Sequence, residues 1–438
     1  MQVQLSVYNP EWVNIFNKEK ELLKNSLGSK AIRIEHFGST SVEGLWAKPV
    51  IDILLGVHNL DDAQSFIPQM QKLGYEYISK YEDIMPERRY FKKPVQADLP
   101  EFHVHSFELA TEHWRRHIMF RDYLRSHDKT KHEYFNIKKE LAYKEWNDVN
   151  EYADAKTKFI RSIENEALIY FTQETEKAEC EAVYEIYNTD DETKKKCMLS
   201  TKRFGIATAV RTDIFPGFSH NRVTGLGFDR PLNEFNMAEV KNFYSSSPNK
   251  FAFQLAPLVI DRNIVEKLNT LGFKLKNNWV RFYRDVAPLE NVKTGLELKE
   301  IGKEHADEYG NLILKNFSFP DDLKNVFNNN IGNSNWKHYM TFDGDIPVGA
   351  GAVFFNGDTA WIGFAATEPD YRNRGSQAAI LSARIDEARK RGCKWISVET
   401  AEDTSEHDAP SYRNMLRYGF NLMYLRPNFV HEPKNMNE

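Results

Sequence analysis

The stretch ATEPDYRNRGSQAAILSARI, Ala366–Ile385, restricts the fold more than any other part of this 438-residue chain. It overlaps the end of an apolar run, Trp361–Ala366, that reads as a buried strand, and Pro369 bars that strand from continuing. From Ser376 onward Ala379, Ile380, Ala383, Ile385 and Ala388 recur at close to the helical period. Arg372–Gln377 is therefore a strand-to-helix turn. The free N–H groups of a helix's first turn, together with its dipole, favour an anion at that point. Arg372 and Arg374 add charge-assisted donors. The pattern predicts a cradle for a diphosphate.

The chain is too long for one ordinary core, so roughly two to four domains are expected. Its 41% hydrophobic and 28% charged residues suit a folded, soluble protein, and a net charge of -5 offers no basic footprint for DNA. No apolar run approaches the ~20 residues that span a bilayer, and the N-terminus lacks a secretory pattern. Cys180, Cys197 and Cys393 share no metal-like spacing and read as reduced cysteines of a cytoplasmic protein. Oligomeric state is left open.

Three blocks follow from the punctuation: 1–172, 173–290 and 291–438. The first ends in a long polar helical stretch without Gly or Pro. The charge run TQETEKAE, Thr172–Glu179, reads as the seam after it. The segment DVAPLENVKTG has the Pro, Gly and polar residues of a connector between the second and third blocks. Both later blocks end on a helix, a glycine and an apolar strand, LNTLGF and MLRYGF, with Gly272 and Gly419 at helix C′ positions. The shared order suggests an internal repeat.

The turn Arg372-Asn373-Arg374-Gly375-Ser376-Gln377, with its preceding strand, following helix, the strand CKWISVET and the closing helix and strand, resembles the acetyl-CoA signature of the GNAT N-acetyltransferases. The resemblance covers roughly Gly295–Asn428 and implies acetyl-CoA as co-substrate. It places the pyrophosphate on the amides of Arg374, Gly375, Ser376, Gln377 and Ala378, beside Arg372 and Asn373. It places the pantetheine arm along Phe364, Ala365, Ala366 and Thr367, with an amide near Ala366 polarising the thioester carbonyl. Glu399 is the candidate base and Tyr412 the candidate acid. Two positions depart from the family pattern. Gln377 stands where Gly or Ala is usual, and Met415 stands at the usual acid tyrosine, one turn after Tyr412. The second block, with GLGFDRPL at the turn position, resembles the degenerate half of a tandem GNAT.

In the first block, HFGSTSVEGLWAKPVIDILLGV and HVHSFELATEHWRRHIMFRDYLRSH resemble the GrpB (UPF0157) family, with a nucleotidyltransferase-like fold. That resemblance implies a ligand site at Gly38, Ser39, Thr40, Ser41, Lys48 and Asp52. A two-metal site needs paired carboxylates on alternate strand positions. The second position here is Leu54, and the next strand of the set carries His103 and His105, so a phosphorylated ligand or nucleotide is expected without polymerase-like metals. His113 and His117 lack a third ligand at recognisable spacing, and no metal site is expected.

The fold class is thus α/β (α+β), a GrpB-like domain followed by a tandem GNAT-like module. The leading function is acetyl transfer to an amine of a small molecule, antibiotic or peptide, with an accessory ligand-binding role for the first domain. The alternatives are a non-enzymatic acyl-CoA sensor and nucleotidyl transfer by the first block.

Overall fold

Val50–Val57 is apolar except for Asp52 and Gly56, and a strand of that composition belongs inside a sheet with both faces covered. The computed structural model describes residues 2–96, 99–290 and 292–433. It divides the chain into two compact units, one running up to Tyr170 with Met415–Leu422 added, the other Phe171–Asn414 with the chain from Met423.

The first unit contains helix α1 (Glu11–Leu27), strands β1 (Arg33–Phe37) and β2 (Val50–Val57), helices α2 (Leu60–Ser65) and α3 (Ile67–Lys72), and strands β3 (Glu76–Tyr77), β4 (Arg89–Lys93) and β5 (Glu101–Glu108). Helices α4 (Glu112–Ser126) and α5 (Asp128–Ala142) follow, and α6 (Val149–Tyr187) carries the chain into the second unit. The sheet order is β1-β2-β5-β4-β3, with β2 and β5 parallel and the other pairs antiparallel. On α1, Trp12, Phe16, Leu23 and Leu27 lie on one stripe and pack with Ile51, Ile53, Leu55, Phe102 and Val104. Alternation then turns Asp52, His103 and His105 to the other face.

The second unit adds α7 (Asp191–Lys196), β6 (Leu199–Phe204), β7 (Ala207–Thr212), β8 (Arg222–Thr224), α8 (Glu234–Phe243), β9 (Phe251–Gln254), α9 (Arg262–Thr270) and β10 (Phe273–Asp285). Its second half holds β11 (Glu297–Glu300), α10 (Ala306–Phe317), α11 (Lys324–Asn328), β12 (Trp336–Asp343), β13 (Ile346–Asn356) and β14 (Thr359–Thr367). The closing elements are α12 (Ser376–Lys390), β15 (Trp395–Ala401), α13 (Pro410–Arg417) and β16 (Asn421–His431). Asn291, at the boundary read from the sequence, lies outside the described residues.

These strands form one eleven-stranded sheet in the order β11-β12-β13-β14-β15-β10-β16-β9-β8-β7-β6. The halves exchange their last strands. β10 leaves the first half to pair antiparallel with β15, and β16 leaves the second to pair antiparallel with β9. Gly272 and Gly419 both adopt φ 86°, which ends each preceding helix and starts the exchanged strand. Phe429 of β16 is accordingly buried in the first half's core with Phe251, Phe253 and Phe273.

The charge run Thr172–Glu179 is not a solvated seam. It lies within the continuous helix α6, where Thr172, Thr175, Ala178, Glu176 and Glu179 are essentially inaccessible. Cys180, Cys197 and Cys393 are free and buried. Among the described residues no helix is long and apolar enough to cross a membrane.

A fragment starting at residue 295 retains β16 but loses both of its neighbours. Met423, Tyr424, Phe429 and Val430, all nearly inaccessible in the whole chain, become exposed. At about 2 kcal/mol each, their loss rivals the entire stability of a typical domain. We expect this fragment to be insoluble alone and to become soluble when co-expressed with residues 171–294; size-exclusion chromatography of the two preparations checks this.

Candidate functional site

In the second unit, β14 pairs in parallel with β15 only from Thr359–Ile362, opposite Trp395–Val398. Beyond Ile362 no register joins them. On its other edge β14 remains paired with β13, through an irregularity between Ala350 and Ala352. Phe364 turns to φ 52° at this bulge. Main-chain groups of Phe364, Ala365, Ala366 and Thr367 therefore line a strand edge that has lost its partner. Such an edge takes an extended ligand arm by main-chain hydrogen bonds.

The chain then passes Arg372, and Asn373 and Gly375 both turn left-handed at φ 63° and 87°. Helix α12 begins at Ser376, and its first outgoing bond runs from Ala379 N to Gly375 O at 3.0 Å. The amides of Ser376, Gln377 and Ala378 precede that bond and project from the helix end. They fit an anion.

The side chains of the turn are arranged differently from the sequence reading. Arg374 is held by both carboxylate oxygens of Asp343, at 2.8 and 3.0 Å, so its charge is already matched. Arg372 is exposed and forms no ion pair among the described residues, which leaves it as the turn's available guanidinium. Ser376 is buried and its hydroxyl sits 2.7 Å from that of Thr341. A Cβ on Gly375 would stand 2.2 Å from Lys293 O, so the room this glycine makes belongs to the connector rather than to a diphosphate. Thr294 Oγ1 donates to Arg374 O at 2.8 Å and ties the connector there. Gln377 donates through Nε2 to Ala366 O at 2.8 Å and Thr367 Oγ1 at 2.7 Å, fastening the turn to the strand edge.

Glu399 lies on β15 one residue past the segment paired with β14. Its carboxylate belongs to a buried ionic cluster. Arg426 of β16 contacts Glu399, and its Nη1 lies 2.5 Å from Glu179 and 3.2 Å from Glu176. Arg281 of β10 contacts Glu179 and stands 3.7 Å from Glu399. Tyr424 donates to Glu176 at 2.6 Å. Burial opposes charge on Glu179, but Arg281 and Arg426 outweigh it and hold the carboxyl well below the usual range. For Glu399 burial wins over Arg426, with Glu179 adding repulsion, and its pKa rises to about 7.

Tyr412 does not join Glu399. Arg281 pairs with Glu399 and Phe282 with Val398, and successive pairs of a sheet face opposite ways. Tyr412 packs edge-on against Phe282 at 5.3 Å, on the face away from the ionic cluster. The base–acid couple expected from the sequence is thus not formed by these two residues.

In the first unit, Gly38 adopts φ 70° where a Cβ would meet Asp52 Oδ2 at 2.2 Å. The carboxylate therefore rests against the Gly-Ser turn. Two of the turn's hydroxyls are spent on the fold: Thr40 donates to Val50 O at 2.9 Å and Ser41 to Gly38 O at 2.7 Å. Ser39 instead meets the hydroxyl of Tyr134. Lys48 and Lys156 lie over the ring of Tyr152, at 4.6 and 4.2 Å. Burial lowers Lys138 to about 7, with repulsion from Lys156 adding to it, and Lys156 to about 8, with repulsion from Lys48 adding to it, while Asp52 acts against both shifts. Burial raises Asp52, against His103 and the lysines.

The feature missed in the sequence is on the neighbouring strand. Parallel register sets His103 beside Asp52 and His105 beside Leu54, where a second carboxylate was sought. Asp52, His103 and His105 each offer a ligand atom within 4.8 Å of the others. The alternation His-Val-His on β5 was the available signal. His113 instead stacks on Phe107, and His117 meets Phe37 edge-on, with His117 Nδ1 2.5 Å from His113 O.

Residues 2–166 match the family model of the GrpB protein. A UPF0157 protein of Halalkalibacterium halodurans is 38% identical over 161 residues, 37% of this chain and 80% of that protein. The chain belongs to the GrpB family. The glutamate-rich protein GrpB of Alkalihalophilus pseudofirmus is 36% identical, over 38% of this GrpB chain and 95% of its own. The crystal structure of conserved protein GrpB from Enterococcus faecalis is 34% identical over 37% of this chain and 96% of its own, with a TM-score of 0.34. This GrpB protein carries a second module: residues 300–420 match the acetyltransferase (GNAT) family. A GCN5-related N-acetyltransferase from Kribbella flavida covers 54% of the chain and 91% of its own length at 10% identity, with a TM-score of 0.41.

Two measurements follow from these side chains. Arg372→Ala should weaken coenzyme A binding about tenfold, or ~1.4 kcal/mol, with an unchanged melting temperature, whereas Arg374→Ala should alter binding less. Calorimetric titration of both variants separates the two arginines. For Glu399, the folded protein keeps a proton that the unfolded chain releases as pH rises from 4.5 to about 7, so its contribution to stability falls across that window. Glu399→Gln should remove this loss. Urea unfolding at about pH 5 and about pH 8 should show the variant gaining on the wild type at the higher pH; a constant difference would assign the proton elsewhere.

Proposed function

We propose that the C-terminal GNAT domain transfers an acetyl group from acetyl-CoA to an amine of a small molecule, antibiotic or peptide. The observation that carries this reading is the loss of pairing between β14 and β15 immediately before an anion-binding helix end. The amides of Ser376, Gln377 and Ala378 and the side chain of Arg372 would bind the diphosphate. The freed edge at Phe364–Thr367 would hold the pantetheine arm, and when bound the co-substrate supplies the activated acyl group. An ammonium must lose a proton before its nitrogen can attack. Glu399, at the start of the stretch of β15 that β14 has left and with a pKa near neutrality, is the group of this chain suited to accept it. Residues 173–290 would be a degenerate GNAT-like half, whose task is to supply β10 and to wall the acceptor site.

The first domain, residues 1–172, would bind a phosphorylated ligand in an accessory role. Ser39, Lys48, Lys138 and Lys156 around Asp52 supply the donors and positive charge such a ligand needs. A second reading of the GNAT domain is a non-enzymatic acyl-CoA sensor. It is favoured by the engagement of Glu399 with Arg426 and by Tyr412 lying on the opposite face of the sheet.

Thiol release from acetyl-CoA across an amine panel distinguishes the two. The transferase reading expects amine-dependent release that Glu399→Gln lowers about a hundredfold. Tight coenzyme A binding without release for any amine supports the sensor, and absence of coenzyme A binding removes both.

A further inference from the structure

We propose that the N-terminal GrpB domain holds one divalent transition-metal ion on Asp52, His103 and His105. The three ligand atoms come from adjacent parallel strands and lie within 4.8 Å of one another, with His103 Nδ1 3.8 Å from Asp52 Oδ1. Small side-chain rotations bring such a set around an ion at about 2.0–2.2 Å.

Two further features fit a metal centre rather than a chance grouping. Each ligand is oriented by its surroundings. Asp52 lies against Gly38, and the His105 ring is wedged between Tyr90, at 4.7 Å, and Phe37, at 5.4 Å and perpendicular to it. In addition, Glu101 Oε2 stands 3.3 Å from His103 Nε2, the ring nitrogen left over when Nδ1 binds the ion. Lys92 fixes that carboxylate at 2.7 Å. A carboxylate behind a histidine ligand sets its tautomer and raises its basicity.

The donor set selects the metal. Two imidazoles and one carboxylate suit Zn²⁺, Co²⁺ or Ni²⁺, whereas Mg²⁺ and Ca²⁺ require oxygen donors. Three protein ligands leave a coordination position open. The inference stands on these residues alone and does not depend on the reading of the domain as a phosphate binder.

The test uses the full chain after treatment with a chelator. Co²⁺ titration, followed by visible absorption, should give one equivalent with the intense bands of four- or five-coordinate cobalt, displaced by Zn²⁺ and not by Mg²⁺. His103→Ala and Asp52→Asn should abolish these bands, and Glu101→Gln should weaken binding about tenfold. His113→Ala should leave binding intact. Asp52→Asn preserves side-chain shape, and circular dichroism of each variant verifies its fold. No cobalt spectrum with the wild type, equal uptake by the folded Asp52→Asn variant, or displacement by Mg²⁺ would overturn the proposal.

Discussion

Five charged side chains at the centre of the eleven-stranded sheet govern the architecture of the second unit. Arg281 and Arg426 sit on the two exchanged strands, β10 and β16, and are completely inaccessible. Neither can lie there uncompensated, because removing one member of a buried ion pair typically costs about 3–5 kcal/mol. Glu176 and Glu179 of α6 and Glu399 of β15 supply the opposite charge. The cluster thereby specifies which strands are central and which face of α6 meets them. A hydrophobic centre of equal volume could be as stable, but it would not discriminate among strand orders in the same way.

How far the sequence disclosed this differs from segment to segment. The turn at Arg372–Ala378 was legible because proline, glycine and helical periodicity are local signals, and the helix and its unbonded amides lie where those signals place them. The glycines at 272 and 419 were legible for the same reason. The strands after them were legible as strands, but their exchange was not, since the local pattern is identical whether a strand returns to its own half or crosses to the other. Thr172–Glu179 shows the limit from the other side. A run of charges looks solvated when judged by composition, and the partners that Tyr424 and Arg426 give the buried Glu176 arrive 248 and 250 residues later.

The two candidate sites show the same division. Arg374 was read as a phosphate ligand, yet both of its terminal guanidinium nitrogens donate to Asp343, on a distant strand. On β2, counting carboxylates along one strand found only Asp52. The neighbouring strand was the informative one, because parallel pairing places His103 and His105 on the face that Asp52 occupies. Register between strands is a tertiary property and carries no mark in either segment alone.

The exchange of β10 and β16 also has a kinetic meaning. Gln254 and Asn428, hydrogen-bonded side by side at 2.7 Å, are separated by 174 residues of chain. During synthesis β9 can pair at once with β8 but must wait for that whole interval to emerge before its second neighbour, β16, exists, and β10 must remain unpaired until β15 appears. Contacts of such long range close slowly, and open strand edges are the surfaces on which nascent chains associate wrongly. At the opening of β10 the exposed Lys274, Lys276 and Asn277 flank the single apolar Leu275, and their charge and polarity keep a waiting strand from becoming a template for its neighbours on the ribosome.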